Sequence, residues 1–215
     1  AGAAGNFLAS INQLSVNAFK SVIEIDVIGS FNTLKATLPY LVEFSALLYR
    51  GYTEDSTERL VKPNVAGTGG RIVFISATLH YRTTPFQAHV SAAKAGIDAL
   101  SHTVSIEFGP LGVTSNIISP GPIAGTEGMD RLLPSDTKKE YVRSLPLGRM
   151  GSVRDIADAS LYLFADSGSY VNGQVLVVDG ASWRMGSGSF GDLKYPDFLL
   201  AGDPVKNVKG GKSKL

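Results

Sequence analysis

The chain has no cysteine among its 215 residues, which excludes disulfides, thiolate metal sites and cysteine nucleophiles. No apolar run approaches the roughly 18 residues that a membrane span requires. The opening stretch AGAAGNFLAS has neither the basic start nor the apolar core of a signal peptide. The nucleophile-elbow sequence GxSxG is absent, so a serine hydrolase is unsupported. His80, His89 and His102 show no metal-ligand spacing, and no metal site is expected. The net charge is only +1, and Lys206, Lys209, Lys212 and Lys214 supply much of the positive side from the tail. What is left is a slightly acidic body, which gives no argument for nucleic acid as a partner.

What is present is the composition of a well-cored α/β protein: 44% hydrophobic, 18% charged and 24 glycines. The length fits one large domain. Arg71–Ala77 (RIVFISA), Val113–Ile118 (VTSNII) and Gln174–Asp179 (QVLVVD) are β-branched runs of the kind that form strands buried on both faces. Helical periods lie between them. From Phe86 to Phe108, Val90, Ala93, Ile97, Leu100 and Val104 recur at spacings of three and four. Gly109 and Pro110 are expected to stop that helix, the glycine as its cap. Ser15 is expected to cap a helix reaching about Leu38–Val42, with Phe19, Val22, Ile23, Phe31, Leu34, Leu38 and Leu41 inside. Ser152 and Asp155 read as a capping box for a helix carrying Ile156, Ala159, Leu163 and Phe164. Residues 43–70 mix charge, glycine and proline without a period and read as a surface insertion, with room for a short helical piece at its front. Strand alternating with helix implies a doubly wound parallel sheet, with ligands outside the carboxyl ends of its strands.

Several features break the pattern. Lys94 points along the buried stripe of its helix, where an ammonium needs a carboxylate, a carbonyl or a ligand. Asp98 follows one turn later, within reach of Lys94; a half-exposed Lys–Asp pair is the plainer alternative. Asp26 falls near the inner face of the Ser15 helix, so it is either bonded to a neighbouring turn or part of a site. The loop Ser119–Gly128 (SPGPIAGTEG) combines stiffening prolines with Gly121 and Gly125, and Thr126 is able to hold phosphate or amide groups. A tight strand-to-helix turn is the alternative there. The small-residue start AGAAG leaves room for a flat ring above a strand end.

The order AGAAGNF, IDVIGSFN, RIVFISATLH, HVSAAKAGIDAL, SNIISPGPIAGTEG and VLVVDGA resembles the short-chain dehydrogenase/reductase family, and within it the fungal peroxisomal 2,4-dienoyl-CoA reductases. The resemblance runs from residue 1 to about 185, the insertion excepted. It implies a Rossmann-like fold and NADPH-dependent reduction of 2,4-dienoyl-CoA to 3-enoyl-CoA in β-oxidation of unsaturated fatty acids. The wider family's Tyr-x-x-x-Lys pair ends here in Lys94, but the tyrosine slot holds Val90 and the serine slot, thirteen residues earlier, holds Ala77. The peroxisomal branch shares that loss. The fingerprint TGxxxGxG does not occur, so the chain reads as the carboxyl-terminal part of such a domain, with roughly a hundred residues of it absent.

By position, the resemblance implies that Lys94 hydrogen-bonds the nicotinamide ribose. Pro120, Gly121, Pro122, Ile123, Ala124, Gly125 and Thr126 would hold the nicotinamide and pyrophosphate, and Phe7, Ser15, Val16, Asn17 and Arg131 the acyl-CoA. Asp26, in a slot where relatives place a helix-bending asparagine, would hold a proton-donating water together with Asp98. On this division residues 1–200 are the truncated domain and 201–215 a flexible basic tail. The tail ends in Ser213-Lys214-Leu215, a tripeptide read by the peroxisomal import receptor. Relatives also suggest a homo-oligomer, a tetramer. Two rivals stay open: a short-chain reductase for another acyl thioester or alcohol, and a non-catalytic fragment.

Overall fold

The structure, a computed structural model, describes residues 7–49, 69–133 and 137–185, with backbone only for 46–49 and 130. The AGAAG start, most of the expected insertion and the tail with its terminal tripeptide lie outside the described residues.

Three strands form a parallel sheet in the order β1 (Arg71–Ile75), β2 (Thr114–Pro120), β3 (Val175–Val178). Arg71 is in register with Thr114, Ile75 with Ile118, Ile117 with Val175 and Pro120 with Val178. The sequence pattern thus locates all three strands, with ends shifted by a residue or two. β2 is the most deeply buried: Val113, Ile117 and Ile118 are fully enclosed, as a central strand covered on both faces must be.

Helix α1 (Val16–Ile23) starts at Ser15, whose hydroxyl accepts from the Ala18 amide at 3.1 Å. It passes through a π-helical turn, Glu24–Ile28, into α2 (Gly29–Tyr49). The helical path therefore runs past the expected end near Val42 and takes up the front of the expected insertion. A π turn holds one residue more than an α turn and rotates the inward face. Val22, Leu34 and Leu38 are buried as expected, whereas Phe19 and Phe31 stand 37% and 43% exposed. Ser45 closes this part of the fold: its hydroxyl donates to the Leu41 carbonyl and accepts from the Gly70 amide at 2.9 Å.

After β1 come a short helix α3 (Leu79–Arg82) and then α4 (Ala88–Glu107). Val90, Ala93, Ile97 and Val104 are buried along α4, and Leu100 is half-buried. Gly109 does not cap α4. Phe108 ends it, Gly109–Leu111 form a 3-10 turn, and the left-handed residue is Gly112 at φ 80°. Beyond β2 lie α5 (Glu127–Leu132), α6 (Lys138–Ser144) and α7 (Val153–Phe164). The α7 capping box is present, with Ser152 and Asp155 bonding each other's backbone. Leu163 of α7 is buried, but Phe164 is 51% exposed, one position off the inward stripe.

Two apolar clusters result. Leu34, Leu38, Phe74, Ile97, Val104 and Ile117 fill the space between α2, α4 and the sheet. Val22, Val90 and Ala93 join α1 to α4, with Phe7, Val27 and Leu79 packed against them. Polar side chains finish β2 where backbone partners run out. Asn116 donates to the Val171 carbonyl and accepts from the Gln174 amide, and Asn172 accepts from the Ser115 amide. The buried amide of Asn116 is tolerated because it is hydrogen-bonded on both sides.

Candidate active site

The carboxyl ends of the strands gather the candidate residues. Lys94, on the second turn of α4, sets its ammonium 3.4 Å from Asp26 Oδ2 and donates to the Ile75 carbonyl at 3.3 Å. The two side chains are 15% and 2% exposed. The approach depends on Gly96: a Cβ there would lie 3.1 Å from Val27 Cγ2, so a larger residue would push the π turn away from α4. The π turn in turn carries Asp26 inward. A cation and a carboxylate enclosed together are stable only as a pair, and each fixes the other's place.

Asp98 does not join them. Its Oδ2 accepts from His80 Nε2 at 2.7 Å and from the Tyr81 hydroxyl at 2.5 Å. The expected contact with Lys94 is replaced because α3 folds back over α4 and brings two donors to the carboxylate first. Burial alone would raise the Asp98 pKa, but His80, the neighbouring Ser76 hydroxyl and Tyr81 outweigh it and hold the carboxyl below its usual value. Tyr81 shifts the other way: burial first, then the Asp98 carboxylate, push its phenol well above the ordinary range. Sequence reasoning left Tyr81 out. No periodicity links a side chain of the short α3 to a residue of α4 seventeen positions on.

The loop after β2 is held at both ends. The Ala124 amide donates to the Gly151 carbonyl at 2.8 Å, and the Gly151 amide to the Pro122 carbonyl at 2.9 Å. At Gly121 a Cβ would fall 2.5 Å from Asp179 Cβ, so the close passage of β2 and β3 ends demands glycine. Thr126 has a narrower task than expected: its hydroxyl donates to the Ile123 carbonyl and caps α5 through the Met129 amide. Ala124 and Gly125 remain exposed.

The expected acyl contacts fall in two places. Phe7 stacks on His89 at 4.2 Å, and Ser15, Val16 and Asn17 open α1 with exposed side chains. Arg131 lies on α5, paired with Glu127 one turn before it. His89 is fully buried, with the Phe7 carbonyl facing its ring. Burial pushes its pKa below the ordinary 6.5, against the smaller effect of the Phe7 carbonyl. His102 is exposed. A cleft of about 190 Å³ between α2 and β1, lined by Ser30, Thr33 and Thr37 among others, contains none of the candidate residues.

Comparison with known proteins agrees with the fold and the order of these elements. The family model described as enoyl-(acyl carrier protein) reductase matches residues 56–181. The chain belongs to the short-chain dehydrogenase/reductase family. It is 46% identical over 200 residues to the peroxisomal 2,4-dienoyl-CoA reductase [(3E)-enoyl-CoA-producing] of Saccharomyces cerevisiae, covering 93% of this chain and 60% of the yeast protein. The Arabidopsis thaliana protein of the same name is 43% identical over 182 residues, covering 84% and 56% of the two chains. The chain thus spans somewhat over half the length of these curated relatives. Among solved structures, a short chain dehydrogenase from Bacillus anthracis superposes with TM-score 0.67 at 32% identity, covering 91% of this chain and 64% of that one. Levodione reductase superposes with TM-score 0.68 at 24% identity, covering 86% and 64%, and speaks to the fold alone.

Proposed function

We propose that the chain is the catalytic-side portion of an NADPH-dependent 2,4-dienoyl-CoA reductase acting in peroxisomal β-oxidation of unsaturated fatty acids. The observation that carries this reading is the enclosed Lys94–Asp26 pair at the strand ends, in a chain whose tyrosine slot holds Val90. A carbonyl reductase needs a phenol there as proton donor; an enclosed lysine and carboxylate suit a different proton source. The names of the relatives agree with that chemistry and with a peroxisomal location.

The residues present fit a nicotinamide dinucleotide. Lys94 offers a fixed donor beside the end of β1, and the exposed, small Ala124 and Gly125 leave the β2 loop open to a flat ring. Lys94 would hold the nicotinamide ribose, and Pro120–Thr126 the nicotinamide and pyrophosphate. NADPH, when bound, supplies a hydride to the δ-carbon of the dienoyl thioester. The protein's own part is the other half of the balance. Hydrogen-bond donors stabilise the dienolate at the thioester oxygen, and a water polarised by Asp26 and Lys94 delivers a proton to the α-carbon, giving the 3-enoyl thioester. Phe7, Ser15, Val16 and Asn17 would line the acyl chain and Arg131 would meet the anionic part of CoA. A homo-oligomer, and import through Ser213-Lys214-Leu215, complete the reading.

A second reading, a non-catalytic partner, has one observation in its favour: among the described residues β1 is paired on one side only. Titration of the purified chain with NADPH, with and without a dienoyl-CoA, separates the two. Saturable binding of both supports the reductase reading. A folded chain that binds neither refutes it for this chain.

A further inference from the structure

We infer that Tyr81, acting through Asp98, is a positioning residue that holds the segment between β1 and α4 as a wall of the acyl-binding side of the site. This rests on the reductase reading above.

The segment Thr78–Gln87 is tied at one end to the loop after β2 and at the other to the strip that begins at Phe7. At its start the Thr78 amide donates to the Pro120 carbonyl at 3.0 Å, so it hangs from the end of β2 where the cofactor loop begins. At its far end the Ala9 amide donates to the Phe86 carbonyl at 3.1 Å, and Gln87 Nε2 donates to the Phe7 carbonyl at 3.0 Å. It therefore lies between the strip that begins at Phe7 and the loop that begins at Pro120. Its backbone is not relaxed: Thr83 and Phe86 sit at φ 57° and 64°. Side chains with a Cβ adopt that region only when the surroundings impose it.

What imposes it is the tie to α4. Tyr81 and His80 both donate to Asp98 Oδ2, and α4 is anchored in both apolar clusters. The His80 ring packs on Tyr81 at 3.9 Å, and Trp183 meets Tyr81 edge-on at 6.1 Å. Ser76 and Ser119, at the ends of β1 and β2, are buried around this tie, and their hydroxyls face Asp98 and Tyr81. The phenol is the one member of the cluster that can be removed without removing its ring, so it isolates the tie.

The test is Tyr81→Phe in the full chain, read in two ways. Amide hydrogen exchange over residues 79–87 is expected to quicken about tenfold, the effect of losing one charge-assisted hydrogen bond on local opening. Affinity for the dienoyl-CoA is expected to fall by about five- to tenfold while that for NADPH changes less than about twofold, since only the acyl wall is loosened. Asp98→Asn, which keeps an acceptor oxygen, should restrain the segment better than Asp98→Ala does. Unchanged exchange in Tyr81→Phe overturns the tie. Faster exchange with unaltered dienoyl-CoA affinity, or equal weakening of both ligands, overturns the acyl role. If the unsubstituted chain binds no dienoyl-CoA, the reductase reading fails and the acyl role with it, while exchange still decides the tie.

Discussion

Replacing Asp26 by asparagine removes the charge facing Lys94 and leaves the side chain's shape nearly intact. The lost attraction follows from the geometry: two unit charges 3.4 Å apart interact by about 5 kcal/mol at an effective dielectric constant near 20. Desolvation already offsets part of that in the folded chain, and breaking a buried pair typically costs about 3–5 kcal/mol. Lys94 retains the Ile75 carbonyl and is 15% exposed, so the lower end applies, about 3 kcal/mol. For a chain of this length that lowers the melting temperature by about 5–10 °C. Circular dichroism of thermal unfolding reads it. Lys94→Met should also cost stability, because it removes the cation beside a carboxylate only 2% exposed. The double variant should then be less damaged than the two single losses together, by about 2 kcal/mol. If the single losses add to within about 0.5 kcal/mol, the pair is not coupled, and the argument that each residue fixes the other is wrong.

Ser152→Ala removes the α7 capping hydroxyl and should cost about 1 kcal/mol in a urea titration; no loss would show the box to be redundant. Ile97→Ala opens a cavity in the main cluster, where Ile97 is 2% exposed, and should cost about 2–5 kcal/mol by the same assay. The pH dependence of stability should carry the mark of His89, whose pKa burial holds below its ordinary 6.5. The unfolded chain then takes up a proton that the folded chain refuses, so the stabilisation present above pH 6.5 is lost as pH falls from there towards the folded value. His89→Phe should flatten that slope without altering the loss near the carboxylate range, where Asp98, held below 3.8, must protonate. In a chain that binds NADPH, Lys94→Met should weaken that binding by tenfold or more, roughly one lost charge-assisted hydrogen bond; equal affinity would remove Lys94 from the cofactor site.

The strands, the order of the elements and the inward face of α4 were legible in the residues, because strand and helix periods are local properties. The runs RIVFI and SNII fill β1 and β2, and Val90, Ala93, Ile97 and Val104 are buried where their spacing puts them. Lys94 and Asp26 could be singled out because each is a charge on an apolar stripe. Their pairing could not, since it depends on the π turn at Glu24–Ile28 and the missing side chain of Gly96, which together bring elements some seventy residues apart into contact. The same holds for Asp98. Helical spacing put Lys94 within its reach, yet the tertiary fold turned α3 over α4 and gave the carboxylate to His80 and Tyr81. Local sequence determines which residues must find a partner, because burial is written in the period. Only the packing of one element on another decides which partner arrives, because hydrogen bonds and ion pairs act over a few ångströms and sequence distance does not enter them.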